Sequence, residues 1–192
     1  MTKGRTLSIA LLTLALIAFA TAGCGSSGGG ESGGKPPDYE RALAGSPPPL
    51  AALHEQANEL LPGGLDAYEK RIEALRGYPV VVNAWASWCG PCRFEFPALQ
   101  QLSARYGKRV AFLGVDAEDD ADAAQTFLDE EPVPYPSYSD PDKDVYDSIE
   151  GYGFPNTAFY DRDGELLYVR KGAYADEAAL EEDIRRYALQ GG

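Results

Sequence analysis

One run of the chain narrows its possible folds more than any other. Pro79 to Trp85 reads PVVVNAW, and the residues that follow, ASWCGPCRFEFP, hold two of the three cysteines. A continuous apolar, β-branched run without polar alternation is the pattern of a strand covered on both faces, as in a sheet lying between layers of helices. Such a strand needs helices on either side of it, and the remaining sequence supplies them.

Upstream, apolar residues recur at helical spacing from Leu50 to Leu61 and stop at Pro62-Gly63-Gly64. A second helix follows with Leu65, Tyr68, Ile72 and Leu75 on one face, closed by Gly77. Downstream, Phe96 to Tyr106 reads as a helix ended by Gly107, and RVAFLGVDA as a second buried strand. DADAAQTFLDEE reads as a helix with acidic residues in its first turn, where the dipole favours them. VPYPSYSD, punctuated by prolines, is at most an edge strand. DKDVYDSIEGYGF reads as a helix running into a loop, NTAFYDRDGELLYVRKG as a hairpin turning at Asp163-Gly164, and Asp176 to Leu189 as a last helix. This order predicts an α/β fold with a mixed central sheet flanked by helices.

Cys89 and Cys92 enclose Gly90 and Pro91 where strand gives way to helix. Unpaired N–H groups and the dipole at such a junction stabilise an anion, which favours the Cys89 thiolate. Cys92 lies on the same face of the first turn, within reach of Cys89, so one thiol attacks and the other resolves a mixed disulfide. A structural zinc site needs about four ligands, whereas the chain offers this pair and a single histidine, His54, which reads as a surface residue of the first helix. Two inert core cysteines would not call for a Gly-Pro bridge at a helix start. No metal is expected, copper included, since no histidine or methionine cluster lies nearby.

The N-terminus carries Lys3 and Arg5 ahead of LSIALLTLALIAFA, an apolar run short for a membrane span, and residues 1–23 are read as a signal peptide. TAGC resembles a bacterial lipobox, with Cys24 as the lipidated residue, although Thr21 replaces the usual leucine. Ordinary cleavage after Ala20 to Ala22 is the competing reading, and a retained membrane anchor a third. Residues 24–49, rich in Gly, Ser and Pro, are read as a flexible tether, and residues 50–192 as the folded domain. Without Lys3 and Arg5, 15 basic residues face 30 acidic ones, a formal charge of −15. Nucleic acid is excluded as a partner, and anionic lipid would repel such a surface, so membrane attachment has to come from a lipid on Cys24.

WCGPC and its setting, VVVNAWASWCGPCRFEFPALQQL, together with GYGFPNTAFYDRDGEL, resemble the thioredoxin superfamily. Within it they are most similar to the extracytoplasmic TlpA/ResA/DsbE-like thiol:disulfide oxidoreductases. The resemblance covers about residues 65 to 190. It implies a thioredoxin-like fold with an N-terminal helical extension and an extra αβ insertion between Asp120 and Ser139. It also implies a redox-active Cys89–Cys92 disulfide and no bound cofactor. Pro155 would be a cis-proline packed against the disulfide, turning the Phe154 backbone toward substrate. Trp88, Gly90 and Pro91 would shape the surroundings of the sulfurs, and Pro97 would kink the active-site helix. Thioredoxins place a buried aspartate six residues before the first cysteine, where this chain has Asn83. Glu95 matches a glutamate of the ResA-like group and would exchange a proton with Cys92, unless it is a solvent-facing helix residue. Asn156 departs from the threonine usual after the cis-proline.

These features imply a lipid-tethered disulfide reductase on the outer face of a bacterial cell membrane. It would act on protein thiols and disulfides, apocytochrome c among them in cytochrome c biogenesis, with a membrane electron donor or acceptor. An oxidase using the same cysteines, and a non-catalytic binding module, are the competing readings.

Overall fold

A computed structural model describes residues 35–190, and the signal segment, Cys24 and the Gly/Ser run lie outside them. The helices are α1 (Tyr39–Leu43), α2 (Pro48–Glu55), α3 (Gly64–Ala74), α4 (Gly90–Tyr106), α5 (Ala121–Glu130), α6 (Asp144–Ser148) and α7 (Glu177–Asp183). The last continues as a π-helical stretch, Ile184–Leu189. The strands are β1 (Leu60–Leu61), β2 (Val80–Trp85), β3 (Ala111–Ala117), β4 (Ser137–Asp140), β5 (Asn156–Tyr160) and β6 (Leu166–Lys171).

They form one sheet in the order β1-β4-β3-β2-β5-β6. The first four run parallel, and β5 is antiparallel to both β2 and β6. All six residues of β2 are buried, which accounts for its unbroken apolar run. Its alternate residues feed two cores. Val81 and Trp85 pack with Phe96 and Leu99 of α4, Phe127 of α5 and Leu180 of α7. Val80, Val82 and Ala84 pack with Leu50 and Leu53 of α2, Tyr68 and Ile72 of α3, and Val145 and Ile149. Parallel strands with both faces covered by helices give a thioredoxin-like α/β sandwich.

Three readings of the sequence need correction. The tether assigned to residues 24–49 fails over its second half. Asp38 caps α1 by accepting the Arg41 N–H at 3.1 Å, Leu43 is buried, and Pro48 opens α2 from the first-turn position that proline tolerates. The helix expected from Leu50 to Leu61 ends at Glu55, because Asn58 takes a left-handed conformation (φ 64°) and is pinned from three directions. Its backbone N–H donates to Tyr135 O at 3.1 Å and its Nδ2 to Leu128 O at 2.8 Å, while its Oδ1 accepts the Val133 N–H at 3.1 Å. Leu60 and Leu61 then become a strand. That strand covers β4, so VPYPSYSD supplies an interior strand rather than an edge. Its prolines precede the strand, and no ladder N–H is lost. Among the described residues no helix is long and apolar enough to cross a membrane.

Candidate active site

Cys89 is the N-cap of the 17-residue α4, and its Sγ accepts the Cys92 N–H at 3.1 Å. The helix read over Phe96 to Tyr106 thus extends back to Gly90, and the cysteine pair stands at its start, as its place after the strand implied. The two sulfurs are joined at 2.02 Å, with Cα atoms 5.3 Å apart. Cys89 retains 4% exposure and Cys92 none, so an incoming thiol or disulfide meets only the Cys89 sulfur. Gly90 and Pro91 are exposed beside it.

Trp88 stands 58% exposed as a lip over this opening. Its indole N–H donates to Glu118 O at 3.1 Å, and its ring meets Phe154 edge-on at 5.4 Å. Phe154 leans in turn on Tyr146, 4.9 Å away. The Phe154–Pro155 peptide is cis, Pro155 is buried, and its carbonyl accepts the Gly172 N–H at 2.9 Å. Asn156 is wholly buried, with its amide turned into the loop that precedes it. Its Nδ2 donates to Gly153 O, and its Oδ1 accepts the Tyr152 N–H at 3.2 Å. The departure from threonine thus serves the loop that presents Phe154.

Glu95 is 2% exposed and lies between α4 and the sheet, which rules out a solvent-facing role. Oε1 accepts Asn83 Nδ2–H at 2.7 Å and Oε2 accepts the Tyr174 N–H at 3.1 Å. Burial drives its carboxyl up to about 7, against the two hydrogen bonds and the charge of Arg170. Pro97 sits inside α4, and Trp85 is a core ring against Phe96 and Phe127. His54 packs beside Gly107 at the far end of α4, about 25 Å along the helix from Cys89.

Behind the lip lies a second set of residues without a signature in the sequence. Both Ser87 donors, N–H and Oγ–H, reach the Asp119 carboxylate, and Arg93 Nε–H donates to Ser87 O at 2.9 Å. Asp116, at the end of β3, is buried with an unpaired Oδ1, and burial followed by Asp119 pushes its carboxyl to about 8. Asp119 has no signature in the sequence, standing between the second buried strand and the acidic helix read from Asp120 onward. Only folding places it across from Ser87. Tyr174 contributes a backbone N–H, which no residue pattern announces.

Comparison with known proteins agrees with this geometry. The Redoxin family profile matches residues 45–184. The thiol:disulfide interchange protein DsbE of Escherichia coli K12 is 35% identical over 151 residues, covering 78% of this chain and 76% of its own. The thiol-disulfide oxidoreductase ResA of Oceanobacillus iheyensis is 30% identical over 110 residues, 57% of each chain. A DsbE crystal structure from Chlorobium tepidum superposes with a TM-score of 0.54 and 32% identity, over 58% of this chain and 81% of that one. With a reachable N-cap cysteine, an enclosed partner and these relatives, the chain belongs to the Redoxin family and is a thioredoxin-fold thiol:disulfide oxidoreductase.

Proposed function

We propose that the protein is a disulfide reductase working outside the cytoplasmic membrane, tethered there through lipidated Cys24. The observation that carries the chemistry is the difference between its sulfurs, one at an opening on a helix N-terminus and one fully enclosed in the first turn of that helix. The Cys89 thiolate attacks a substrate disulfide, forming a mixed disulfide and releasing one substrate thiolate. Cys92 then gives up its proton and attacks Cys89 Sγ, and the second substrate sulfur leaves. Two electrons have passed to the substrate, and the Cys89–Cys92 disulfide has formed. Glu95, three residues after Cys92 on α4 and with its carboxyl raised to about 7, takes the Cys92 proton.

The rim favours a cysteine carried on an extended apolar segment. Trp88, Phe94 and Tyr152 all expose their rings, and the Phe154 backbone offers an edge on which such a segment pairs. An unfolded secreted protein fits that description, apocytochrome c included, and a membrane partner would restore the reduced form. No bound cofactor or metal takes part.

The midpoint potential of the Cys89/Cys92 couple tests the direction. A value of about −270 mV supports a reductase, and one of about −120 mV makes the protein a disulfide donor. Cys89→Ser separates both from a binding module, because a module would retain its function. Loss of membrane fractionation in Cys24→Ala tests the tether, and unchanged fractionation rejects it.

A further inference from the structure

Among the described residues two buried side-chain oxygens have no hydrogen-bond partner, Asp116 Oδ1 and Asn83 Oδ1. The second belongs to a residue in contact with the site. Asn83 is 2% exposed in the middle of β2, in register with Thr157 of β5 and Gly114 of β3. Its face of the strand is that of Val81 and Trp85, which pack in the same core as Cys92. Nδ2 is committed twice, to Glu95 Oε1 at 2.7 Å and to Thr157 Oγ1 at 3.3 Å, while the carbonyl is left without a donor. An unpaired buried carbonyl is a cost that valine, as found at three neighbouring positions of this strand, would not carry. The amide is kept for its donor end, and that end points at Glu95.

We infer that Asn83 is a positioning residue for thiol exchange, whose side-chain N–H keeps Glu95 able to release and take a proton near neutral pH. The inference deepens the role proposed for Glu95 and rests on it. Burial alone would hold Glu95 neutral, and a carboxyl that never ionises cannot accept the Cys92 proton. The groups facing it from the other elements do not substitute for the amide. The Tyr174 N–H already occupies Oε2. Arg170 on β6 acts through its charge rather than as a hydrogen-bond partner. The phenols of Tyr135 and Tyr174 are held protonated by burial, and Tyr174 Oη–H is turned to Asp183 of α7 at 2.9 Å. Asn83 is thus the side-chain donor on this carboxylate.

The contact also has a symmetry that can be exploited. Carboxyl and carboxamide are nearly the same shape, so Asn83→Asp combined with Glu95→Gln moves the acid from α4 to β2. The amide now on α4 would still accept the Tyr174 N–H with its oxygen and would donate to the new carboxylate on β2. A purely structural role for Asn83 predicts no recovery of proton chemistry from that exchange.

The test follows the rate of reduction of a small aromatic disulfide by the reduced protein from pH 5 to 9, alongside the 13C titration of the Glu95 carboxyl. Wild type is expected to show an inflection near the Glu95 midpoint, E95Q to lose it, and the N83D/E95Q exchange to regain one. In N83L the Glu95 midpoint is expected to rise by about one pH unit or more, the loss of one hydrogen bond to a charged group. A midpoint unmoved in N83L, or an exchange variant as flat as E95Q, overturns the inference while leaving Glu95 its role. An E95Q profile identical to wild type removes that role and the inference with it. Should N83L fail to fold, the exchange variant decides alone.

Discussion

Glu95 and Asp116 keep their protons far above the ordinary carboxylate range, to about 7 and about 8, because burial penalises their charged forms. The sign of the consequence is fixed by linkage. Between the unfolded pKa and the raised folded one, the native state binds more protons than the unfolded chain, so stability falls as pH climbs through that window. Glu181 works the other way, since hydrogen bonds from Tyr106 and Arg185 lower it to about 2, and its contribution, present above the ordinary carboxylate range, is lost as pH falls from that range through about 2. Unfolding in urea should therefore show a more stable domain at pH 5 than at pH 8. Glu95 alone accounts for a difference on the order of 3 kcal/mol. Asp116→Asn and Glu95→Gln should each flatten the slope, and a domain more stable at pH 8 than at pH 5 would contradict the burial argument. Of these residues Glu95 was legible beforehand through the resemblance to the ResA-like group, which carries a glutamate at that offset from the second cysteine. Asp116 and Asp119 stayed hidden, because a carboxyl between a strand and a helix start looks the same whether it meets water, another acid or a distant serine.

At the level of elements, legibility followed length and pattern. β2, β3 and the β5–β6 hairpin carry runs of five to seven residues with a turn or a helix at each end, enough for period and propensity to agree. β1 has two residues and α1 five, too few for any periodicity, and the prolines that start α2 look like those of a linker. What makes these pieces structure is contact with distant parts of the chain. Tyr39 Oη–H donates to Pro132 O at 2.9 Å, so the extension and the α5–β4 segment brace each other. Leu50 is fully buried, and Leu50→Ala should lower the stability of the domain by about 2–4 kcal/mol in chemical denaturation. Leu43, inside the range read as a tether, is buried as well, and a true tether would make Leu43→Ala neutral, whereas the packed extension predicts a loss of about 2 kcal/mol or more. β3 makes a sharper demand. A Cβ at Gly114 would run into Ser137 Oγ and lie 2.9 Å from Trp85 Nε1, atoms that share a hydrogen bond of 3.3 Å. Gly114→Ala is expected to cost about 2–3 kcal/mol, with a shift in Trp85 near-ultraviolet dichroism. An unchanged midpoint would mean that the two strands part more easily than their packing implies.

For the whole molecule, the catalytic end is assembled from pieces far apart in sequence. α4 provides the sulfurs, the loop before β5 the opposing rim, the segment after β6 a hydrogen bond to Glu95, and the loop after β3 the support for Trp88. The sequence announced the first two through WCGPC and the proline before β5, and folding alone supplied the others. The short strand β1 adds a matter of timing. Leu60 pairs with Ser137, 77 positions later, and the Ser137 N–H donates to Glu59 O at 2.9 Å. A chain delivered from its N-terminus exposes this segment before any other strand and can seat it only after α3, β2, α4, β3, α5 and β4 have arrived, since closing so long a loop gains nothing until β4 is in place. In pulse-labelled hydrogen exchange during refolding, the Ser137 amide should gain protection after those of β2 and β3, and simultaneous protection would contradict this order. The first strand to emerge waits for the fourth. Throughout that interval Leu60 and Leu61, half-buried in the finished sheet, stay open to water.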